Sequence, residues 1–196
     1  MTTPADLITT ARTLYNDADS TLYRRSDLEL LGYVNDGIRE VSGLRPELFN
    51  TIGDLTCVPG DVEQKLTFED AQAIVNVLCI HGGNAITRFD LAVMDAFIPG
   101  WRAVAAGAAQ QWTALPGDPL RFLIYPKALA NQVLDIVYVR IPLTLGLADP
   151  ITEVPAAYTP ALVDYIVYRA ESADDEHSNS GRATAHYQAF VAKIKG

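Results

Sequence analysis

The sequence predicts an α+β protein in which two helical regions, residues 1–48 and 149–196, form one bundle interrupted by a β subdomain, residues 49–148. Apolar residues recur at helical spacing near both ends of the chain. Between them, short β-branched and aromatic runs end at glycine and proline, which is typical of strands. The chain has 196 residues, of which 49% are hydrophobic, enough for one domain with an insertion. We therefore expect a helical bundle that carries a small β-sandwich-like insertion with one short helix.

Both helices of the first region begin at recognisable signals. Thr3 is placed to cap the first helix, and Asp6 lies three residues later, where its carboxylate can reach back to the cap. Ser26 and Glu29 form the same arrangement, a capping box, ahead of the second helix. Gly43 predicts the end of that helix, because glycine readily adopts the backbone conformation that follows a last turn.

The middle of the chain changes to a pattern of strands and turns. Residues 51–58 and 64–68 predict two strands, and the turn-forming sequence at 59–61 indicates that the chain returns as a hairpin. Residues 88–98 predict the short helix, with an apolar residue at every fourth position up to Phe97. The remaining predicted strands are residues 73–81, 110–114, 121–125 and 133–141.

The last of these strands is followed by a second pair of predicted helices. Both faces of the strand at 133–141 are largely apolar, which predicts that it is covered on both sides. Thr159 begins a third long helix, and a fourth helix closes the chain. Phe190 and Ile194 lie on the apolar face of the closing helix, which is therefore expected to pack in the bundle.

The sequence contains no recognisable catalytic constellation. Nucleophilic catalysis requires a serine or cysteine within hydrogen-bond reach of its base. Cys79 and His81 share one face of a predicted strand, but their side chains are then ~7 Å apart. Cys57 and Cys79 both lie in apolar runs, where a cysteine is typically a small buried residue. We therefore expect a protein that is not an enzyme and that binds no cofactor or metal.

One acidic run offers an alternative. Asp174, Asp175, Glu176 and His177 supply the ligand types that divalent cations take. Consecutive residues of a helix point around it rather than toward one centre, so the run is more typical of a solvated face. A metal-dependent hydrolase that uses these four residues stays open as an alternative function.

Charge and hydropathy exclude two further classes. The formal net charge is −9, and the lysines and arginines are scattered rather than clustered, which disfavours sequence-specific binding of nucleic acid. No apolar run reaches the ~18 residues that a membrane span requires. Residues 1–6 lack the pattern of a signal peptide. We expect synthesis in the cytosol and no membrane partner.

Large aromatic residues in the middle of the chain predict an interface. Trp101 and Trp112 flank an alanine-rich stretch at 103–109 that has few polar side chains. Small residues beside large aromatic ones are typical of close-packed contacts between proteins. A loop that becomes ordered only in an assembly would show the same composition. We predict that Phe97, Trp101 and Trp112 lie at or near a contact surface.

Several segments, taken in their order along the chain, resemble the head-to-tail adaptor proteins of tailed phages, also called connectors or gatekeepers. Two examples are DAFIPGW at 95–101 and VYVRIP at 137–142. The other resembling segments are residues 10–17, 25–35, 111–113, 121–126 and 154–170. They span nearly the whole chain, and the resemblance rests on their order and spacing together.

The resemblance implies a structural virion protein that forms a ring, typically a dodecamer, beneath the portal protein of the capsid. Such a ring docks the tail tube or nozzle protein and extends the channel through which DNA passes without sequence-specific binding. The terminal residues of these proteins dock on the portal, so Phe190 and Ile194 join the predicted interface. Assembly in the host cytoplasm and a final place at the head–tail interface follow. The rival interpretation is a monomeric tail-completion factor or regulatory binding module.

Overall fold

The computed structural model of the protein describes residues 1–172 and 180–196. Within these residues the chain contains five α-helices and seven β-strands in two sheets, which confirms the predicted α+β class. The contacts divide the chain into two compact units, Met1–Phe49 with Pro142–Gly196, and Asn50–Ile141. Among the described residues, none of the helices combines the length and apolarity that a membrane span requires.

The first unit is helical. The helices of the chain are α1 (Pro4–Leu14), α2 (Asp27–Leu44), α3 (Leu91–Phe97), α4 (Thr159–Ser172) and α5 (Ser180–Lys195), and all but α3 belong to this unit. Helix α4 contacts the other three helices of the unit. The apolar faces meet in a core that includes Leu7, Ile8, Leu30, Val34, Ile38, Leu162, Ile166, Phe190 and Ile194. Burial of these faces stabilises helices that would be marginal alone.

The helix starts follow the predicted capping signals, with one difference. At α1 the capping box is complete, since the Thr3 hydroxyl accepts from the Asp6 amide and the Asp6 carboxylate accepts from the Thr3 amide. At α2 the Ser26 side chain accepts from the Glu29 amide. The Glu29 carboxylate instead accepts from Arg25 and from the Tyr33 hydroxyl, so half of the second capping box is formed.

Two glycines inside α2 give a matched pair for a stability prediction. A Cβ at Gly37 would lie 3.0 Å from the buried Tyr165 ring, whereas a Cβ at Gly32 would meet nothing within 4 Å. Alanine stabilises a helix interior by about 0.5–1 kcal/mol relative to glycine. We expect Gly32→Ala to gain that amount and Gly37→Ala to lose about 1–3 kcal/mol through overpacking. Urea unfolding compares the two; equal stability would contradict the close approach of α2 and α4.

The second unit contains all the strands. They are β1 (Asn50–Thr56), β2 (Glu63–Lys65), β3 (Ala71–Ile80), β4 (Thr87–Arg88), β5 (Gln111–Ala114), β6 (Arg121–Tyr125) and β7 (Val133–Arg140). One sheet has the order β1-β7-β3 and is antiparallel throughout. The other has the order β2-β6-β5-β4, in which only β4 and β5 are parallel.

The prediction that residues 51–58 and 64–68 form a hairpin is wrong, because β1 and β2 lie in different sheets. The buried Gln64 side chain accepts from the Val58 amide at 2.7 Å and donates to the Val58 carbonyl at 3.1 Å. These bonds satisfy backbone groups that a hairpin partner would otherwise pair. The chain can therefore leave the first sheet at this point and enter the second.

The two sheets share one apolar cluster. It includes Leu55, Val77, Trp112, Phe122, Ile124, Leu134 and Ile136. Strand β6 also turns Leu123 to the opposite side, where it joins a second cluster with Met94 of α3 and Trp101. On β7, Leu134, Ile136 and Tyr138 of one face are buried. On the other face Val139 is buried, but Asp135 is only half-buried, so this face is covered in part.

Candidate functional site

The five residues predicted at an interface lie in two different environments. The Phe97 side chain is 80% exposed. Trp101 and Trp112 are each 1% exposed, and Phe190 and Ile194 are each 0% exposed. Of these five, Phe97 alone offers free apolar surface in this chain, while the others fill its cores. The interface role of all five stays a prediction.

Trp101 supports the short helix on which Phe97 lies. Its indole packs edge-on against Phe89 and Tyr125, with centroids 5.5 and 6.2 Å apart. Its Nε1 donates to the Asp95 carboxylate at 2.8 Å, and the Arg102 guanidinium lies over its ring. The pKa of Asp95 is lowered by its hydrogen bonds, most by the one from Arg102 and less by the one from Trp101. The C-terminal end of α3 is therefore held in place by the hydrogen bond between Trp101 and Asp95.

An exposed apolar surface covers the outside of α3. Val93, Phe97 and Ile98 are exposed, and we call these three residues the α3 patch. Val93 and Phe97 are one helical turn apart and so lie side by side. Within α3 the buried side chain is Met94, so most of the apolar surface of this helix points to solvent. Contiguous exposed apolar surface of this kind typically marks an interaction site.

A second exposed apolar pair lies in the helical unit, between α1 and the first turn of α2. Leu22 and Leu28 are both about three-quarters exposed, at 75% and 74%. The intervening Tyr23 ring lies under the buried Arg12 guanidinium, 3.6 Å from it. The connection is thus held to α1, while Leu22 of the connection and Leu28 of α2 are exposed.

The end of the chain is fixed within the helical unit. The Phe190 ring packs on Tyr165 with centroids 5.0 Å apart. The Ile194 carbonyl accepts a hydrogen bond from Arg45 at 3.0 Å. Any partner that contacts α5 therefore meets its outward face rather than Phe190 and Ile194.

A polar cluster that the sequence interpretation missed lies on the outward face of the β1-β7-β3 sheet. His81 Nδ1 lies 2.8 Å from an Asp135 carboxylate oxygen and 3.6 Å from one of Asp54. Cys79 Sγ donates to the other Asp135 oxygen at 3.2 Å. The hydrogen bond to Asp135, with the charges of Asp135 and Asp54, raises the pKa of His81. The bonds from His81 and Cys79 lower the pKa of Asp135.

The strand register explains this cluster. Asp54 of β1 lies directly opposite Asp135 of β7, and Cys79 of β3 pairs with Asp135 from the other side. Cys79 and His81 are two positions apart, so they share a face as predicted. A lone carboxylate at position 135 within an apolar strand is a signal for this cluster, but its partners can be found only from the strand register.

Among the described residues, the two cysteines add no site beyond this cluster. Cys57 is buried as predicted, and burial raises the pKa of its thiol to about 11. Cys79 is only half-buried, in contrast to the prediction. Asp174, Asp175, Glu176 and His177, the ligands of the hydrolase alternative, lie outside the described residues.

Comparison with known proteins identifies the family. No curated protein matches the chain. Residues 2–196 match the family described as SU10 adaptor protein, so the match covers almost every residue. This agrees with the resemblance drawn from the ordered segments between residues 10 and 170. The chain therefore belongs to the SU10 adaptor protein family, the structural adaptors of phage virions.

Proposed function

We propose that the chain assembles into a ring that joins the portal protein to the tail and extends the DNA channel. The observation that carries this proposal is the family match over residues 2–196. An adaptor between two parts of a virion requires surfaces for other proteins rather than a catalytic centre. The exposed apolar residues of both units supply such surfaces.

The α3 patch is the proposed contact between neighbouring copies of the chain. In a ring, each subunit contacts the next through two different surfaces, and an exposed, rigidly held apolar side chain suits such a contact. Phe97 has that position, because Trp101 and its bond to Asp95 anchor the helix beneath it. Aromatic side chains at such positions commonly dominate the binding energy of an interface.

The helical unit, as a bundle, is the proposed body of the ring. The two-sheet unit, as a sandwich-like subdomain, is the proposed contact with the neighbour or the tail. The core contacts of Phe190 and Ile194 keep α5 in place. The outward face of α5 is then the proposed contact with the portal, and the Leu22–Leu28 surface lies in the same unit.

The charge of the chain supports passage of DNA through the ring. A net charge of −9 per chain is multiplied by the number of subunits. The resulting negative potential repels the phosphate backbone, so DNA can pass without adhering.

Native mass spectrometry of the purified chain, alone and mixed with portal rings, tests the proposal. We expect the mixture to contain portal rings that carry a fixed number of adaptor chains, whatever the state of the free chain. A chain that stays monomeric and unbound would favour the rival interpretation, a monomeric tail-completion or regulatory module.

A further inference from the structure

Three potential metal ligands converge on the outward face of the β1-β7-β3 sheet. Asp54, His81 and Asp135 each offer one ligand atom, and these atoms all lie within 4.8 Å of one another. They come from three neighbouring strands, because Asp54 is in β1, Asp135 is in the central β7, and His81 directly follows β3. Backbone pairing of β1 and β3 with β7 fixes the positions from which the three side chains project.

The two carboxylates face each other across paired strands. Asp54 and Asp135 are directly opposite partners on antiparallel strands. Like charges at such positions destabilise the pairing of strands. The His81 ring nitrogen lies near both carboxylates and can supply one positive charge there. A divalent ion bound by this nitrogen and by both carboxylates would supply two, and His81 would release its Nδ1 proton on binding it.

Two of the three spacings between these atoms lie near those of a small tetrahedral ion. Nitrogen and oxygen ligands lie about 2.0–2.2 Å from Zn²⁺, which places neighbouring ligand atoms about 3.3 Å apart. His81 Nδ1 lies 2.8 Å from Asp135 Oδ1 and 3.6 Å from Asp54 Oδ1. The two distances lie on either side of this value, and all three atoms lie within 4.8 Å of one another, so rotation of the exposed Asp54 side chain is the movement that closes the site.

The surroundings provide both support and access. The Cys79 thiol donates to Asp135 Oδ2, which orients the carboxylate and leaves Oδ1 toward His81. Bonds of this kind to the outer oxygen of a ligand are typical of metal sites in proteins. The side chains of Asp54 and His81 are both more than half exposed, at 58% and 59%, so an ion can enter and water can complete the tetrahedron.

We propose that Asp54, His81 and Asp135 bind one zinc ion, which fastens strands β1, β7 and β3 together. The ion acts on the stability of the two-sheet unit, and its binding does not depend on the adaptor function. Carboxylate and imidazole are ligands that zinc accepts together.

Isothermal titration of the whole, chelator-treated chain with Zn²⁺ tests this site. We expect one equivalent of zinc to bind, and Asp54→Asn, His81→Gln and Asp135→Asn each to weaken binding at least tenfold. Zinc should also raise the thermal midpoint of the unmodified chain and not that of Asp135→Asn. Circular dichroism checks that each variant folds, and the exposed Asp54→Asn is the variant least able to disturb the fold.

Two matched histidine variants separate this site from other zinc ligands. His186→Gln removes a histidine that contacts Asp164 at 2.9 Å in the helical unit. His177→Gln removes the histidine of the acidic run at 174–177. Both variants should bind zinc as the unmodified chain does. The proposal is overturned if the chain binds no zinc, or if Asp54→Asn and Asp135→Asn retain full affinity.

Discussion

Phe97→Asp is expected to leave the isolated chain folded and to prevent its assembly. The Phe97 side chain is 80% exposed, so its replacement removes little of the chain's own core. At a contact between subunits, loss of an aromatic anchor costs at least about 2 kcal/mol, or roughly 30-fold in affinity for each contact. Circular dichroism and thermal unfolding report on the fold, and native mass spectrometry with portal rings reports on assembly.

Two further variants control this experiment. Ala96→Asp adds the same charge to the adjacent exposed position of α3 without removing apolar surface, so it should assemble far better than Phe97→Asp. Trp101→Asp places a charge at a position that is 1% exposed and should unfold the α3 side of its unit. Normal assembly of Phe97→Asp would show that the α3 patch is not the contact between subunits.

Arg12→Ala is expected to cause the largest loss of stability in the helical unit. The Arg12 and Asp17 side chains are 4% and 3% exposed, and their charged groups lie 2.5 Å apart. Arg12 also donates to Asp27 and to the Arg25 carbonyl, each at 2.7 Å. Its removal leaves the buried Asp17 carboxylate without this guanidinium, which typically costs about 3–5 kcal/mol. Urea unfolding followed by helical circular dichroism measures the change.

Arg39→Ala is the matched control for this prediction. Arg39 contacts Asp36 at 3.1 Å on the surface of α2, and both side chains are exposed. Exposed ion pairs contribute at most about 1 kcal/mol, because water and salt screen them. If Arg12→Ala lowers the free energy of unfolding no more than Arg39→Ala does, the ion pair with Asp17 does not have the role that its burial implies.

The sequence predicted the helices well because their signals are local. The capping residue Thr3 and its partner Asp6 are three positions apart, so the start of α1 is encoded within one turn. Ser26 likewise marks the start of α2, although Glu29 bonds to Arg25 and Tyr33 instead of completing the box. The partner of the Glu29 carboxylate depends on which side chains compete for it, and sequence spacing alone does not determine the outcome.

Strand pairing could not be predicted in the same way. Strand β1 pairs with β7, about eighty positions later, and no local signal specifies that partner. The turn at 59–61 indicated a hairpin, but the Gln64 side chain pairs with the Val58 backbone and ends the first sheet. The cluster of Asp54, His81 and Asp135 depends on the same long-range register, which is why the sequence did not identify it.

Aromatic composition predicted an interface without separating the surface from the core. Trp101 and Phe97 lie four positions apart, yet the first is buried against Phe89 and the second faces solvent. A large aromatic residue suits both a core and an interface, since burial of its apolar area is favourable in each. The direction of each side chain is decided by the packing of α3 on the sheet, and only the fold supplies it.

Electron microscopy of DNA-filled heads mixed with the purified chain tests the adaptor function most directly. We expect a ring of adaptor density at the portal vertex, coaxial with the DNA channel, with Phe97 at the contact between neighbouring subunits. Heads whose portal vertices remain bare after incubation with folded chain would contradict it.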